Sequence, residues 1–291
     1  MKNTLMLIVL EIFLLGCCSA TDSVTSDSSA VSPVTITILC DNVSYDTMFT
    51  AAWGFSCFVE GLEKTILFDA GGDPDIFRHN MKQANIDPNR IQYLVISHRH
   101  SDHIGGLFVT DSSTQTDQAI TMGATGWKNL ESAFLPAEVS ILLARNQRVE
   151  YLPVGLFPHV FLTGVMSGVV PPKVIHGDEQ SLIIDTRQGL VLITGCSHPG
   201  IVAILKRAKE IVKKDIYLVL GGFHLLNYTD EQIRTTVDTF KSMGVRYCGA
   251  SHCTGDKAKA AFREAYGDHF VELGAGRIIT FDKNGTLLLG R

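Results

Sequence analysis

Within six positions the chain carries three imidazoles and a carboxylate, His98, His100, Asp102 and His103, in the run His98-Arg99-His100-Ser101-Asp102-His103-Ile104-Gly105-Gly106. Imidazole nitrogen and carboxylate oxygen are the donors that borderline and hard divalent cations take. At the end of an extended segment, His98 and His100 are two apart and can point to one side of the chain. Asp102 and His103 then reach a second point a few ångströms away. The spacing suits a pair of divalent ions, one held mainly by imidazoles and one by carboxylate plus imidazole. An exposed polar loop has no need of three histidines, and this loop follows directly from an apolar run. Gly105-Gly106 allows backbone to come close to the site and a helix to start without side-chain clash.

The elements that must position these donors follow a repeated plan. Residues 91–97 read as a short buried strand that delivers His98. The apolar run 190–194 leads into Gly195-Cys196-Ser197-His198, 216–220 into Gly221-Gly222-Phe223-His224, and 245–249 into Ser251-His252-Cys253-Thr254. The unit is the same each time: an apolar strand, small residues, a histidine, then usually a helix. Loops at strand ends converge in α/β proteins, so the four histidine loops are expected to form one site. Earlier, 34–40 alternates as a strand ending at Asp41-Asn42, and 54–60 with 64–68 form a hairpin turning at Gly61. Asp69-Ala70-Gly71-Gly72 closes that hairpin, where Asp69 can accept from neighbouring backbone or from a metal-bound histidine. Residues 75–84 are expected to be helical, and 180–185 with 190–194 form a second hairpin turning at Gln188-Gly189. Residues 111–170 lack a clear period and contain Pro153 and Pro158, with Pro171 and Pro172 just beyond. They read as an insertion shaping the mouth of the site, and the isolated His159 and His176 are not ligand candidates.

Composition fits a globular chain: 291 residues, 45% apolar and 19% charged, enough for one large domain or two small ones. A formal charge of −5 leaves no electrostatic footprint for nucleic acid. Lys206, Arg207, Lys209, Lys213 and Lys214 alternate with Ile201, Ile204, Leu205, Ala208, Ile211 and Val212 at helical spacing, which is the solvated face of an amphipathic helix. Residues 1–20 read as an export leader: Lys2, then an apolar run from Leu5 to Leu15 interrupted by Glu11, then Leu14-Leu15-Gly16-Cys17. That ending resembles a bacterial lipobox, which would make Cys17 the lipid-modified first residue of an exported, membrane-anchored protein. Ordinary secretion or a short anchor are the alternatives. Residues 21–33 form a Ser/Thr/Asp-rich linker, and the domain is expected at 34–291. Five cysteines remain beyond the leader, without a C-x-x-C pair, so neither a disulfide framework nor a structural zinc site is indicated. Cys196 and Cys253, each within two residues of a histidine, read as small buried side chains under the site rather than as soft ligands.

The pattern His98-x-His100-x-Asp102-His103, followed by His198 and His252, resembles the metallo-β-lactamase superfamily. The resemblance implies an α/β fold, an αββα sandwich of two mixed β-sheets flanked by helices, with metals at one edge. It implies His98, His100 and His198 as ligands of a first divalent ion and Asp102, His103 and His252 as ligands of a second. Zinc is the first expectation, with iron or manganese as alternatives. A narrower resemblance rests on Ser-His-x-His-x-Asp-His-x-Gly-Gly-Leu, Asp178-Glu-Gln-Ser-Leu, Gly-Leu-Val-x-x-Thr-Gly-Cys-Ser-His, Gly-Gly-Phe-His-Leu and His-Cys-Thr-Gly. These are similar to the branch named for the dihydropterin-6-ylmethyl-(ribofuranosyl)aminobenzene phosphate synthase of methanopterin synthesis, most of whose members are metallo-hydrolases. One departure stands out. The superfamily's bridging aspartate should follow the strand ending at Leu220, where this chain has Gly221-Gly222-Phe223-His224. Either His224 supplies a nitrogen ligand there, or only water bridges the ions.

Two such ions would lower the pKa of a water toward neutrality and polarise a carbonyl or phosphoryl oxygen. Asp102 would orient the attacking water, His224 is the second catalytic candidate, and Asp69 would set histidine tautomers. The leading reading is a hydrolase of a small ester, lactone or phosphate compound. The alternative is a transferase of the dihydropterin type that releases diphosphate, and it sits poorly with export because pterin assembly is cytoplasmic. A non-catalytic, metal-stabilised surface protein is a third reading, against which the complete ligand set argues. β-Lactam hydrolysis and nucleic-acid hydrolysis are disfavoured. The expected partner is a small-molecule substrate, and the membrane enters only through the N-terminal lipid.

Overall fold

The fold is seen in a computed structural model that describes residues 33–107, 130–135, 147–148, 150–167 and 178–289. The expected leader, Cys17, nearly all of the linker and His176 lie outside the described residues. Strands β1 (Val34–Cys40), β2 (Ser56–Glu60), β3 (Ile66–Phe68), β4 (Tyr93–Val95), β5 (Ser132–Phe134) and β6 (Gln147–Arg148) build a first sheet. Strands β7 (Val154–Phe157), β8 (Val160–Leu162), β9 (Leu182–Thr186), β10 (Gly189–Thr194), β11 (Ile216–Gly222) and β12 (Tyr247–Ser251) build a second. The C-terminal β13 (Ile278–Phe281) and β14 (Leu287–Leu289) return to the first sheet, giving the orders β14-β13-β1-β2-β3-β4-β5-β6 and β12-β11-β10-β9-β8-β7. Both sheets are mixed: β3 to β6 run parallel beyond an antiparallel half, and β10, β11 and β12 run parallel beside antiparallel β9, β8 and β7.

Side-chain alternation explains the layering, because successive strand residues face opposite sides. Val191 and Ile193 of β10 join Leu218 and Leu220 of β11 in the core between the sheets, where they meet Ile36, Ile38, Val59 and Phe68 of the first sheet. Leu190 and Leu192 point the other way, beneath α3 (Ile201–Val212), α4 (Asp230–Ser242) and α5 (Asp256–Tyr266). On the far side of the first sheet, Leu39, Phe58, Leu67 and Leu94 pack against Phe77 and Met81 of α1 (Pro74–Gln83). Asp73 caps α1 by accepting from the amides of Asp75 and Ile76, with Pro74 at its first position. Thr229 and Gln232 close a reciprocal capping box on α4. The result is the expected αββα sandwich. The described part of 111–170 is not an insertion: β5 and β6 extend the first sheet, and the β7–β8 hairpin extends the second. Short, poorly alternating edge strands leave little periodicity to read. No helix among the described residues is long and apolar enough to cross a membrane.

Candidate metal centre

The four histidine loops do meet. Backbone from β4 runs through His98 into α2 (Ser101–Ile104), while His198 follows β10, His224 follows β11 and His252 follows β12. Parallel neighbours β10, β11 and β12 end at the same edge, and β4 of the facing sheet ends opposite them, so all four loops open on one place. Three groups of donors have their ligand atoms within 4.8 Å of one another: Asp102, His103, Cys196 and His252; His98, Cys196 and His198; Cys196, His224 and Cys253. His100 lies alongside, its Nδ1 3.1 Å from His98 Nε2 and its ring 4.8 Å from that of His198. His159 sits at the β7–β8 turn beside Asp185, outside these groups.

Each buried imidazole is anchored from behind. His103 Nδ1 is 2.6 Å from Asp69 Oδ2, and the same carboxylate accepts from the amide and hydroxyl of Ser97 at 2.7 Å each. Ser97 Oγ in turn lies 2.8 Å from His98 Nδ1. His198 donates from Nδ1 to Glu179 Oε2 at 2.8 Å, and Glu179 also accepts from the backbone amides of Cys196, Ser197 and His198. His252 Nδ1 faces Asn42 Oδ1 at 3.0 Å, an oxygen that Gly54 N also uses, while Asn42 Nδ2 donates to the His252 carbonyl. An acceptor on Nδ1 fixes the tautomer and leaves Nε2 with a lone pair toward the centre.

That arrangement tests whether a metal fits. His103 Nε2 and His252 Nε2 stand 3.3 Å apart, with Asp102 Oδ2 3.3 Å from the latter and 3.8 Å from the former. Two nitrogens whose other ring positions are both committed to acceptors can face one another only across a cation, whether a proton or a metal ion. The residues present fit the divalent ions. Burial would raise the Asp102 carboxyl, but the hydrogen bond from His252 and the charge of His103 outweigh it and hold it well below the usual carboxylate range. Burial would lower His103, yet the Asp69 carboxylate pushes it up to about 9, so without an ion its Nε2 carries a proton that a bound ion would displace. Burial and the surrounding imidazoles drive His98 well below its ordinary value, so it stays neutral and able to ligate.

The backbone here is strained. Asp69, Ser197, His224 and His252 have φ of 55°, 68°, 54° and 47°, and these are four of the seven non-glycine described residues in the left-handed region. Such conformations cost about 1–3 kcal/mol each and persist where surrounding contacts over-determine them. Close approach adds to this. A Cβ on Gly105 would meet Gly72 O at 2.1 Å and one on Gly106 would meet Ala70 O at 2.0 Å, so the ligand-bearing turn lies directly on the 70–72 backbone.

Sequence reasoning assigns no role to Glu179, Asn42 or Trp53. Glu179 falls inside the Asp178-Glu-Gln-Ser-Leu motif, the one signal that could have found it. Asn42 is the strand-end residue after β1. Trp53 donates from Nε1 to Asp102 Oδ2 at 2.8 Å and tilts over His252 with ring centroids 4.9 Å apart. Trp53 is 54% exposed beside these donors. Cys196 and Cys253 are buried as expected, but Cys196 Sγ lies 3.2 Å from His103 Nε2, among the donors rather than beneath them.

Comparison with known proteins agrees with this geometry. The sequence model of the metallo-beta-lactamase superfamily matches residues 54–204. The chain is 31% identical to 7,8-dihydropterin-6-methyl-4-(beta-D-ribofuranosyl)-aminobenzene-5'-phosphate synthase of Methanocaldococcus jannaschii, over 84% of this chain and 95% of that protein. A solved metal-dependent hydrolase of the beta-lactamase superfamily is 28% identical, with a TM-score of 0.66 over 84% of this chain and 98% of the other. A diphosphatase of the PhnP family, 16% identical, shares the fold with a TM-score of 0.53 over 88% of this chain and 98% of its own.

Proposed function

Because the chain belongs to the metallo-β-lactamase superfamily, we propose that it is a hydrolase carrying two divalent ions and acting on a small ester, lactone or phosphate-containing substrate. The observation that carries this reading is the convergence of His98, Asp102, His103, His198 and His252 from both sheets, with donor atoms within 4.8 Å in each group. His98, His100 and His198 would hold one ion, and Asp102, His103 and His252 the other. Zinc is the first expectation. Ions so held supply a water whose pKa is near neutrality and a Lewis acid for a carbonyl or phosphoryl oxygen.

The chain's own residues prepare that chemistry. Asp69, Glu179 and Asn42 hold Nδ1 of His103, His198 and His252, so the opposite nitrogens point inward without reorganisation. Asp102 stays ionised, and Trp53 steadies one of its oxygens, which aims the carboxylate to accept a proton from the attacking water. His224 has its pKa raised by its hydrogen bond with Cys253, against the effect of burial. That shift favours the protonated imidazole, which suits the role of donor to the leaving group.

The synthase relative, at 31% identity, supports a second reading in which an aromatic carbon rather than water displaces diphosphate. One experiment separates them. Metal-loaded protein is offered esters, lactones, phosphodiesters and a pterin diphosphate in ¹⁸O-water. Label in the product is expected for the hydrolase. Turnover of the pterin diphosphate with an amine-bearing aromatic acceptor, without label, establishes the transferase instead.

A further inference from the structure

Cys196 has a position that none of the histidines shares. Its Sγ is the one donor common to all three groups: it stands with Asp102, His103 and His252, with His98 and His198, and with His224 and Cys253. Ions held by the first two groups would therefore both have Sγ within ligand range. We propose that the Cys196 thiolate is the ligand shared by the two ions, occupying the centre that β11 leaves without a side chain. The inference rests on the metal-dependent reading above.

Four observations carry it. Sterically, the end of β11 cannot fill the centre. A Cβ on Gly222 would stand 2.5 Å from Gly195 O, 2.7 Å from Cys253 Sγ and 3.3 Å from Cys196 Cα, so the 195–196 backbone and the Cys253 side chain already occupy the space a carboxylate side chain would cross. Charge is the second. Asp102 gives one ion an anionic ligand, whereas His98, His100 and His198 would offer the other only neutral imidazoles; one thiolate between them supplies a negative charge to both. Third, Cys196 is held rigidly, its amide donating to Glu179 Oε1 at 2.9 Å while its carbonyl accepts from Cys253 Sγ at 3.4 Å. Fourth, the two cysteines are not equivalent. Cys253 Sγ contacts that carbonyl and belongs only to the group with His224, while Cys196 Sγ faces His103 Nε2 at 3.2 Å. Ion binding at Cys196 displaces the thiol proton to solvent and forms metal–sulfur bonds without any change of oxidation state.

X-ray absorption at the zinc edge of the full chain loaded with two zinc ions tests this directly. A shared thiolate gives one sulfur neighbour per zinc, at about 2.3 Å. A thiolate on only one ion averages to half a sulfur per zinc, and a purely nitrogen and oxygen shell gives none; either overturns the proposal. The same measurement on Cys253→Ala should leave the sulfur count unchanged, whereas a fall to zero assigns the ligand to Cys253 and refutes it. Cobalt-substituted Cys196→Ser should lose the near-ultraviolet thiolate charge-transfer band of the wild type, and a retained band refutes it again. If the wild-type chain binds no zinc, the metal-dependent reading itself fails; two zinc ions without sulfur sink this inference alone.

Discussion

Glu179 is a carboxylate with no solvent exposure, four hydrogen-bond donors around it and a histidine to orient. Burial alone would raise its pKa, but the hydrogen bond and charge of His198 lower it below the ordinary value. Replacing it by Gln turns an amide NH₂ toward groups that also donate, so at least one buried donor loses its partner. Glu179→Gln is expected to destabilise the chain by about 2 kcal/mol, because bonds to a charged acceptor are worth more than neutral ones. The measurement is the urea midpoint at unchanged slope. Its pH dependence has a definite sign. A depressed folded pKa contributes stability that is present above the unfolded value of 4.5 and is lost as pH falls through the folded value. The gap between wild type and Glu179→Gln should thus be full at pH 7 and narrow under acid; a gap that widens below pH 4.5 contradicts this assignment. Asp69 plays the matching part for His103 and Ser97 at the end of the opposite sheet.

At the scale of elements, the ligand-bearing turn is fixed by backbone packed on backbone. Ala70 N donates to His103 O at 2.8 Å and Phe55 N to Asp102 O at 3.2 Å, so the segments before β2 and after β3 clamp the first turn of α2. Gly106→Ala would set a methyl 2.0 Å from the backbone oxygen of Ala70, which cannot swing away, and 2.9 Å from Cβ and Cγ of the buried Phe77. A loss of about 3 kcal/mol is expected, with metal content falling alongside; wild-type denaturant stability would show that the clamp is looser than drawn. Much of this was legible beforehand. Strand β1 is found where its alternation put it, the four strand–histidine units converge, and Gly105-Gly106 does permit close approach. The reason is that buried strands and strand-end ligands leave local patterns. The acceptors behind the histidines left none, since Asn42 and Glu179 reach His252 and His198 across 210 and 19 residues of chain. A tautomer-setting contact carries no periodicity. The described part of 111–170 misled for a related reason: strands as short as β6, at the edge of its sheet, and β8, one in from the edge, are defined by their neighbours rather than by their own pattern.

For the whole molecule, the donors divide between the two sheets, with His98, Asp102 and His103 after β4 and His198 and His252 after β10 and β12. Ions bound there tie one layer of the sandwich to the other, so occupancy and global stability are linked. Free ion at about 100 times its dissociation constant stabilises by roughly 2.7 kcal/mol per site. For a domain of this size that is roughly 5–10 °C in thermal midpoint. Chelation should lower the midpoint by that order, and re-addition of zinc should restore it; an unchanged midpoint would show that the ions do not span the sheets. A different consequence follows from the direction of β1. Its last residues lead to Asn42, which touches His252, while Val34 begins the strand at its other end and pairs with Phe281. Seven extended residues put those ends roughly 20 Å apart. Val34 therefore lies at the end of β1 away from the candidate metal centre. Additions made at Val34 stand clear of the histidines: a tag placed there should leave metal content unchanged, and a loss of bound metal would show that the two ends of β1 are coupled.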